Sequence, residues 1–186
     1  EIINELRKNV IHSLHQAGRR DEPKDGMDIA LCIIDFNENK LQFAGARNPL
    51  YLIRNGELIQ YDANKMSVCY SQRINSPFTK HDIKLETDDV LYIFSDGYCD
   101  QFGGEDSMKY KSKRLKELLL NIYQKPMPEQ KEILIKKHEE WKGNRGQLDD
   151  ILILGLRYTD KKKIISVKQP YNWINKNILV AEDIDV

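Results

Sequence analysis

The sequence is poor in the features that stabilise secreted domains or anchor a chain in a membrane. Only three of its 186 residues are cysteines, Cys32, Cys69 and Cys99. Their odd number and unpaired spacing argue against a disulfide framework or a cysteine zinc site, and indicate a reducing, cytoplasmic compartment. No apolar stretch approaches the ~20 residues of a membrane span, and the chain does not begin with a signal-peptide pattern.

A charge excess is also absent. Lys plus Arg and Asp plus Glu both number 29, so no net field attracts the protein to nucleic acid or to an anionic membrane. The lysine run 161–163 is typical of a solvated turn. Hydrophobic residues make up 40% and charged residues 31%, which indicates a soluble globular protein with a core.

The first half of the chain changes from helical to strand periodicity. Ile3, Leu6, Val10 and Leu14 recur every three or four residues and predict a helix over residues 1–17. A buried strand over 27–36, in which Cys32 is a small core residue, and a second strand over 40–46 form a predicted hairpin. The turn Asn55-Gly56 predicts another hairpin, between strands 50–53 and 57–61.

The second half places helices after strands. It predicts a half-exposed strand at 81–86, a buried strand at 90–94, helices at 115–123 and 129–141, and a buried strand at 151–156. Strand hairpins with helices grouped before and after them favour an α+β layered domain over alternating βαβ units.

Carboxylates directly adjoin two of the apolar strands. Asp96-Gly97 follows the strand at 90–94, and Asp149-Asp150 precedes the strand at 151–156. Converging carboxylates repel one another unless cations neutralise them, and hard divalent ions prefer oxygen ligands. Each segment alone fits an ordinary turn or a solvated strand edge, because Asp and Gly gather in turns.

Four segments together resemble the SpoIIE-type branch of the bacterial metal-dependent (PPM) protein phosphatases. They are DGMDIALCIID (25–35), FAGARNPLYLIRNGEL (43–58), DVLYIFSDGYCDQFGG (89–104) and QLDDILILGLR (147–157), in the family's order. The resemblance covers residues 1–158. It implies a layered β-sandwich flanked by helices, here incomplete on its N-terminal side.

The resemblance also implies a two-metal Mn²⁺ or Mg²⁺ site. The metal-binding aspartate of the SDG segment is Asp96, with Gly97 beside it. The last ligand is Asp149, with Asp150 as an alternative ligand or a supporting neighbour, and Asp28 is a candidate near-site residue. One ligand segment, an Asp followed shortly by Gly-His-Gly, is expected upstream of the first helix. Residues 66–69 depart from the family pattern, so the shape of that loop is expected to differ.

The four histidines are assigned packing or surface roles, and no residue is assigned as a catalytic acid, base or nucleophile. Trp141 is predicted to be a packing anchor.

Residues 159–176 are mostly polar and predict a linker. Residues 177–186 resemble the first strand of a response-regulator receiver domain, with Glu182 and Asp183 as its acidic pair. The alternative for these residues is a terminal strand with a charged end. The chain is accordingly expected to be part of a longer protein with fused sensor or receiver modules.

The implied activity is hydrolysis of phosphoserine or phosphothreonine on a protein in bacterial signalling. By family analogy, the substrate could be an anti-sigma-factor antagonist. Two alternatives remain: a non-catalytic (pseudophosphatase) regulatory module, and a scaffold that positions partners. The residues that precede Glu1 would discriminate between them, and so would metal titration.

Overall fold

The architecture was obtained from a computed structural model, which describes residues 1–18, 25–71 and 75–159. They fall into two compact units: residues 1–50 with 60–85, and residues 51–59 with the described residues from 86 onward. The elements in chain order are α1 (Ile2–Ser13), β1 (Ile29–Asp35), β2 (Lys40–Ala46), β3 (Leu50–Arg54), β4 (Glu57–Tyr61), β5 (His81–Lys84), β6 (Val90–Phe94), α2 (Gly97–Asp100), β7 (Phe102–Gly103), β8 (Met108–Lys109), α3 (Lys111–Ile122), α4 (Met127–Lys142) and β9 (Ile153–Arg157).

The first unit packs α1 with an antiparallel sheet of order β1-β2-β5. Ile3 is buried, and Leu6 and Val10 pack beside it against the same cluster, as the helical period predicts. The helix also fixes the loop at 75–79, because the buried Arg7 donates from Nη2 to the carbonyl of Ser76 at 2.9 Å. Leu14 follows the last residue of the helix and is 42% exposed, so it does not share the predicted apolar face.

The prediction that β1 is a buried strand is wrong, because none of its residues is fully buried. Its residues are half-buried or exposed, Ile33 is 43% exposed, and Cys32 is only half-buried. The physical reason is position: β1 lies at the edge of the sheet that the described residues form, so it has a neighbouring strand on one side only. An apolar run by itself cannot distinguish a central strand from an edge strand.

The second unit contains a four-stranded sheet of order β4-β3-β6-β9 and the helices α2, α3 and α4. The β3–β4 turn has φ of 51° at Asn55 and 83° at Gly56, so both central residues are left-handed, as a two-residue hairpin turn requires. Side chains of β6 and β9 pack with those of α3 and α4 in one core. Its largest fully buried members are Tyr51, Tyr92, Tyr98, Ile53, Leu115, Leu119, Met127 and Leu134.

Helices and antiparallel pairing confirm the predicted α+β class. In the described part of the chain, no helix has the length and apolarity that a bilayer crossing requires. The predicted linker and receiver strand lie outside the described residues, apart from residue 159.

Candidate metal site at the ends of two paired strands

The two acidic segments meet because β6 and β9 are antiparallel neighbours. Phe94, the last residue of β6, pairs with Ile153, the first residue of β9. The chain therefore leaves β6 and enters β9 at the same end of the sheet. Asp96 lies two residues beyond that pair on one strand, and Asp150 lies three residues before it on the other.

Ser95 joins the two segments directly. Its amide donates to the carbonyl of Leu152 at 2.9 Å, and its Oγ donates to the carbonyl of Asp150 at 3.0 Å. The same Oγ accepts a hydrogen bond from the Leu152 amide at 2.9 Å. A single hydroxyl thus continues the strand pairing past the end of the ladder, and it fixes the backbone next to Asp96 against the backbone of Asp150.

Position 97 has no room for a side chain, and therefore requires glycine. A Cβ built on it would lie 2.4 Å from the carbonyl oxygen of Asp150 and 3.0 Å from its carbonyl carbon. Both are backbone atoms and cannot move aside as a flexible side chain can. The close approach of the two segments therefore depends on a residue without a side chain.

The short helix α2 is anchored to α4. The buried hydroxyl of Tyr98 donates to the carbonyl of Leu134 at 3.0 Å, and its ring meets Tyr110 edge-on at 5.1 Å between centroids. Burial, with a smaller contribution from the nearby Asp100 and Asp96 carboxylates, raises the pKa of the neighbouring Cys99 thiol to about 12. Cys99 is therefore a neutral thiol at physiological pH, and the negative charge in this region resides on the carboxylates.

The donor chemistry fits a hard divalent cation. Asp96, Asp149 and Asp150 are exposed at one end of the sheet, and carboxylate oxygens are the ligands that Mg²⁺ and Mn²⁺ prefer. Within residues 1–18, 25–71 and 75–159, no three acidic, histidine or cysteine side chains converge closely enough to hold a metal ion. Mg²⁺ commonly binds one or two carboxylates and keeps several waters, so the segments at 96 and 149–150 fit part of a coordination sphere.

Other predicted site residues are located elsewhere or lie outside the described structure. Asp28 belongs to the first unit, where its Oδ1 lies 3.8 Å from Nε of Arg47. Its near-site role stays a prediction. Glu182 and Asp183 lie outside the described residues, and so the predicted receiver pair also stays a prediction.

His138 is a packed residue of the second unit, in line with the packing role assigned to it. His138 is 3% exposed on α4, with its ring 5.3 Å from that of Tyr98, and Nε2 has no hydrogen-bond partner. Burial lowers its pKa. Trp141 is confirmed as a packing residue, since it lies edge-on to Tyr110 at 5.4 Å and donates from Nε1 to the carbonyl of Gln101 at 3.1 Å.

Comparison with known proteins assigns the family. The family model described as Stage II sporulation protein E (SpoIIE) matches residues 1–159. Comparison with curated proteins gave no significant match.

Solved structures share the fold. The SiaA-PP2C domain of Pseudomonas aeruginosa is 24% identical with a TM-score of 0.67, and the match covers 84% of this chain and 69% of that one. The phosphatase domain of SpoIIE from Bacillus subtilis is 14% identical with a TM-score of 0.56, covering 85% of this chain and 72% of that one. PppA of Pseudomonas aeruginosa is 15% identical with a TM-score of 0.54, covering 80% of this chain and 64% of that one. This chain belongs to the SpoIIE family and has the fold of a PP2C-type (PPM) phosphatase domain.

Proposed function

We propose that the protein hydrolyses phosphoserine or phosphothreonine on a protein substrate, with Mn²⁺ or Mg²⁺ held at the end of β6 and β9. The observation that carries the proposal is the hydrogen-bonded junction between the Asp96 and Asp150 segments, made by Ser95 and permitted by Gly97. Family membership supports the phosphatase fold. The exposed carboxylates at the adjacent ends of β6 and β9 support the metal dependence.

Each residue of the junction has a distinct task. Asp96 and Asp149 would bind the cations, with Asp150 as an alternative ligand or a neighbour that shapes the charge. Ser95 and Gly97 hold the two ligand segments together. When bound, the divalent cations supply Lewis acidity and make hydroxide available near neutral pH. Further donors from outside the described residues would complete the coordination. Because the cations supply hydroxide, the site is expected to need no protein nucleophile.

The candidate site is open to a protein substrate. Asp96, Asp149 and Asp150 are exposed, so a phosphorylated side chain can approach from solvent. The carboxylates repel a phosphate dianion unless cations neutralise them, and therefore phosphate binding should require metal. A phosphoprotein of the anti-sigma-factor-antagonist type is one substrate class that the family resemblance suggests.

The test is Asp96→Asn, which keeps the size of the side chain and removes its charge. We expect Mn²⁺-stimulated hydrolysis of an aryl phosphate to fall by about two orders of magnitude or more, as loss of a directly bound ligand should exceed the 10–100-fold effect of an outer-shell partner. Asp100→Asn is the matched control, since Asp100 is the last residue of the short helix that follows Asp96 and pairs with Lys109 at 2.7 Å. Full activity in Asp96→Asn would refute the assigned role.

A second candidate function is a non-catalytic regulatory or scaffolding module. It is favoured by the absence, among the described residues, of three converging ligand side chains. Calorimetric titration with Mn²⁺ separates the two. A phosphatase should show saturable binding that Asp96→Asn weakens, whereas a module without a functional metal site should show none in either form.

A further inference from the structure

Gln101 is a buried polar residue that links α2 to residues 146–148, which precede Asp149 and Asp150. The residue is 1% exposed. Nε2 donates to the carbonyl of Phe102 at 3.0 Å and to the carbonyl of Gly146 at 3.1 Å. Oε1 accepts the amide of Leu148 at 3.1 Å. The amide group therefore engages the chain on both sides of Gln147.

The backbone of Gln101 is itself fixed. Its amide donates to the carbonyl of Gly97 at 3.1 Å, one turn back on α2. Its carbonyl accepts the amide of Tyr110 at 3.0 Å and Nε1 of Trp141 at 3.1 Å. A residue held in this way can transmit the position of α2, which begins next to Asp96, to the segment that it binds.

The segment that Gln101 binds has little packing of its own. Residues 143–150 are all exposed, and Leu148 is 57% exposed. Burial therefore contributes little to its conformation, and hydrogen bonds must define it. Gln101 fixes it at residues 146 and 148, and Ser95 fixes it again at residues 150 and 152. Asp149 lies between these two points of attachment.

We propose that Gln101 is a positioning residue for the metal site: its buried amide holds residues 146–148 and thereby keeps Asp149 beside Asp96. The proposal rests on the proposed function, because it concerns a ligand of the same site. Gln101 touches no reacting atom. It acts through the backbone of the acidic segment.

Gln130 offers a closely matched control. It is likewise fully buried in the second unit, its Oε1 accepts one hydrogen bond from the Tyr92 hydroxyl at 2.6 Å, and its Nε2 donates to two carbonyls, those of Tyr123 and Lys125. These partners belong to the core and to the α3–α4 connection, not to the acidic segments. Gln101→Met and Gln130→Met therefore each remove a buried side-chain amide with three hydrogen bonds, but only Gln101→Met removes one that contacts residues 146–148.

The experiment measures Mn²⁺ affinity by calorimetry and the melting temperature of wild type and both variants. We expect both variants to melt at lower temperature. The Mn²⁺ dissociation constant should rise about tenfold or more in Gln101→Met, as for loss of an outer-shell support, and stay at the wild-type value in Gln130→Met. Equal Mn²⁺ affinity in wild type and Gln101→Met would overturn the positioning role and leave the proposed function standing.

Amide hydrogen exchange provides a readout without metal. In the wild-type protein the Leu148 amide should be protected although its side chain is exposed, and Gln101→Met should abolish that protection while Gln130→Met preserves it. An unprotected Leu148 amide in wild type would overturn the inference even if Gln101→Met fails to fold. Absence of Mn²⁺ binding by wild type would overturn the proposed function, whereas the exchange result would still decide whether Gln101 holds the segment.

Discussion

Substituting Gly97 by alanine should push the two acidic segments apart. The added Cβ would lie 2.4 Å from the Asp150 carbonyl oxygen, about 1 Å inside the 3.4 Å at which ordinary contact begins. The φ of Gly97 is not in the left-handed region, so the penalty comes from the contact and not from backbone conformation. Overpacking of this kind costs about 1–3 kcal/mol. For a domain of this size, a loss of about 2 kcal/mol lowers the melting temperature by about 4–8 °C.

The assay combines thermal unfolding with Mn²⁺ titration of Gly97→Ala and two control variants. A Cβ on Gly146 meets no atom within 4 Å, and so Gly146→Ala should behave as wild type in both measurements. A Cβ on Gly45 would lie 2.5 Å from the backbone oxygen of Asn48, in the first unit. Gly45→Ala should therefore lose stability as Gly97→Ala does, but retain Mn²⁺ affinity.

The outcome that would refute this reasoning is specific. If Gly97→Ala melts and binds Mn²⁺ as wild type does, the close approach of Gly97 to Asp150 is not a requirement of the native structure. If Gly97→Ala and Gly45→Ala lose Mn²⁺ affinity equally, the loss follows from general destabilisation, and the junction has no special role.

Three further predictions concern stability. Burial lowers the pKa of His138 below the ordinary value of about 6.5. As the pH falls through that value, His138 is protonated in the unfolded chain before it is protonated in the folded chain. Urea unfolding should therefore show stability decreasing on acidification, and His138→Phe should flatten the decrease; an unchanged slope would contradict this. Arg54→Met leaves Asp89, which is 1% exposed, without the guanidinium whose Nη2 lies 2.6 Å from its Oδ2. This should lower the free energy of unfolding by about 3 kcal/mol, against less than about 1 kcal/mol for Lys8→Met at an exposed ion pair; equal losses would refute the difference. Gly56→Ala places a Cβ at φ +83° and should cost about 1 kcal/mol by urea unfolding, and no loss would contradict the left-handed turn.

Local patterns predicted the elements whose causes are local. The strand Val90–Phe94 was predicted with its observed bounds, because a continuous apolar run ends at Ser95-Asp96-Gly97. The Asn55-Gly56 turn was predicted because these two residue types tolerate positive φ. The exposure of β1 was not predictable, since it depends on which strands are its neighbours in the sheet.

The candidate site also has features that local sequence predicts and features that depend on tertiary contacts. Residue type marked Asp96 and Asp149 as donors, but the pairing of β6 with β9 joins segments more than 50 residues apart, and only the resemblance suggested that they meet. The sequence did not predict the linking role of Ser95, although the residue lies within the segment 89–104 that resembles the family. Gln101 carried no signal at all, because a glutamine after a short acidic turn is normally solvated, and only tertiary contacts show it to be buried.

The two sides of the junction are held by different forces, and this affects how the site should respond to perturbation. Asp96 begins a helix that Tyr98 anchors by burial and a hydrogen bond to α4, so its position follows the stability of the core. Asp149 lies in an exposed stretch whose position depends on hydrogen bonds from Gln101 and Ser95. Such a stretch can open locally at much lower free energy than the core unfolds. A cation bound by both sides would therefore order residues 146–150 far more than β6, and removal of the cation should loosen the Asp149 side of the site while the fold persists.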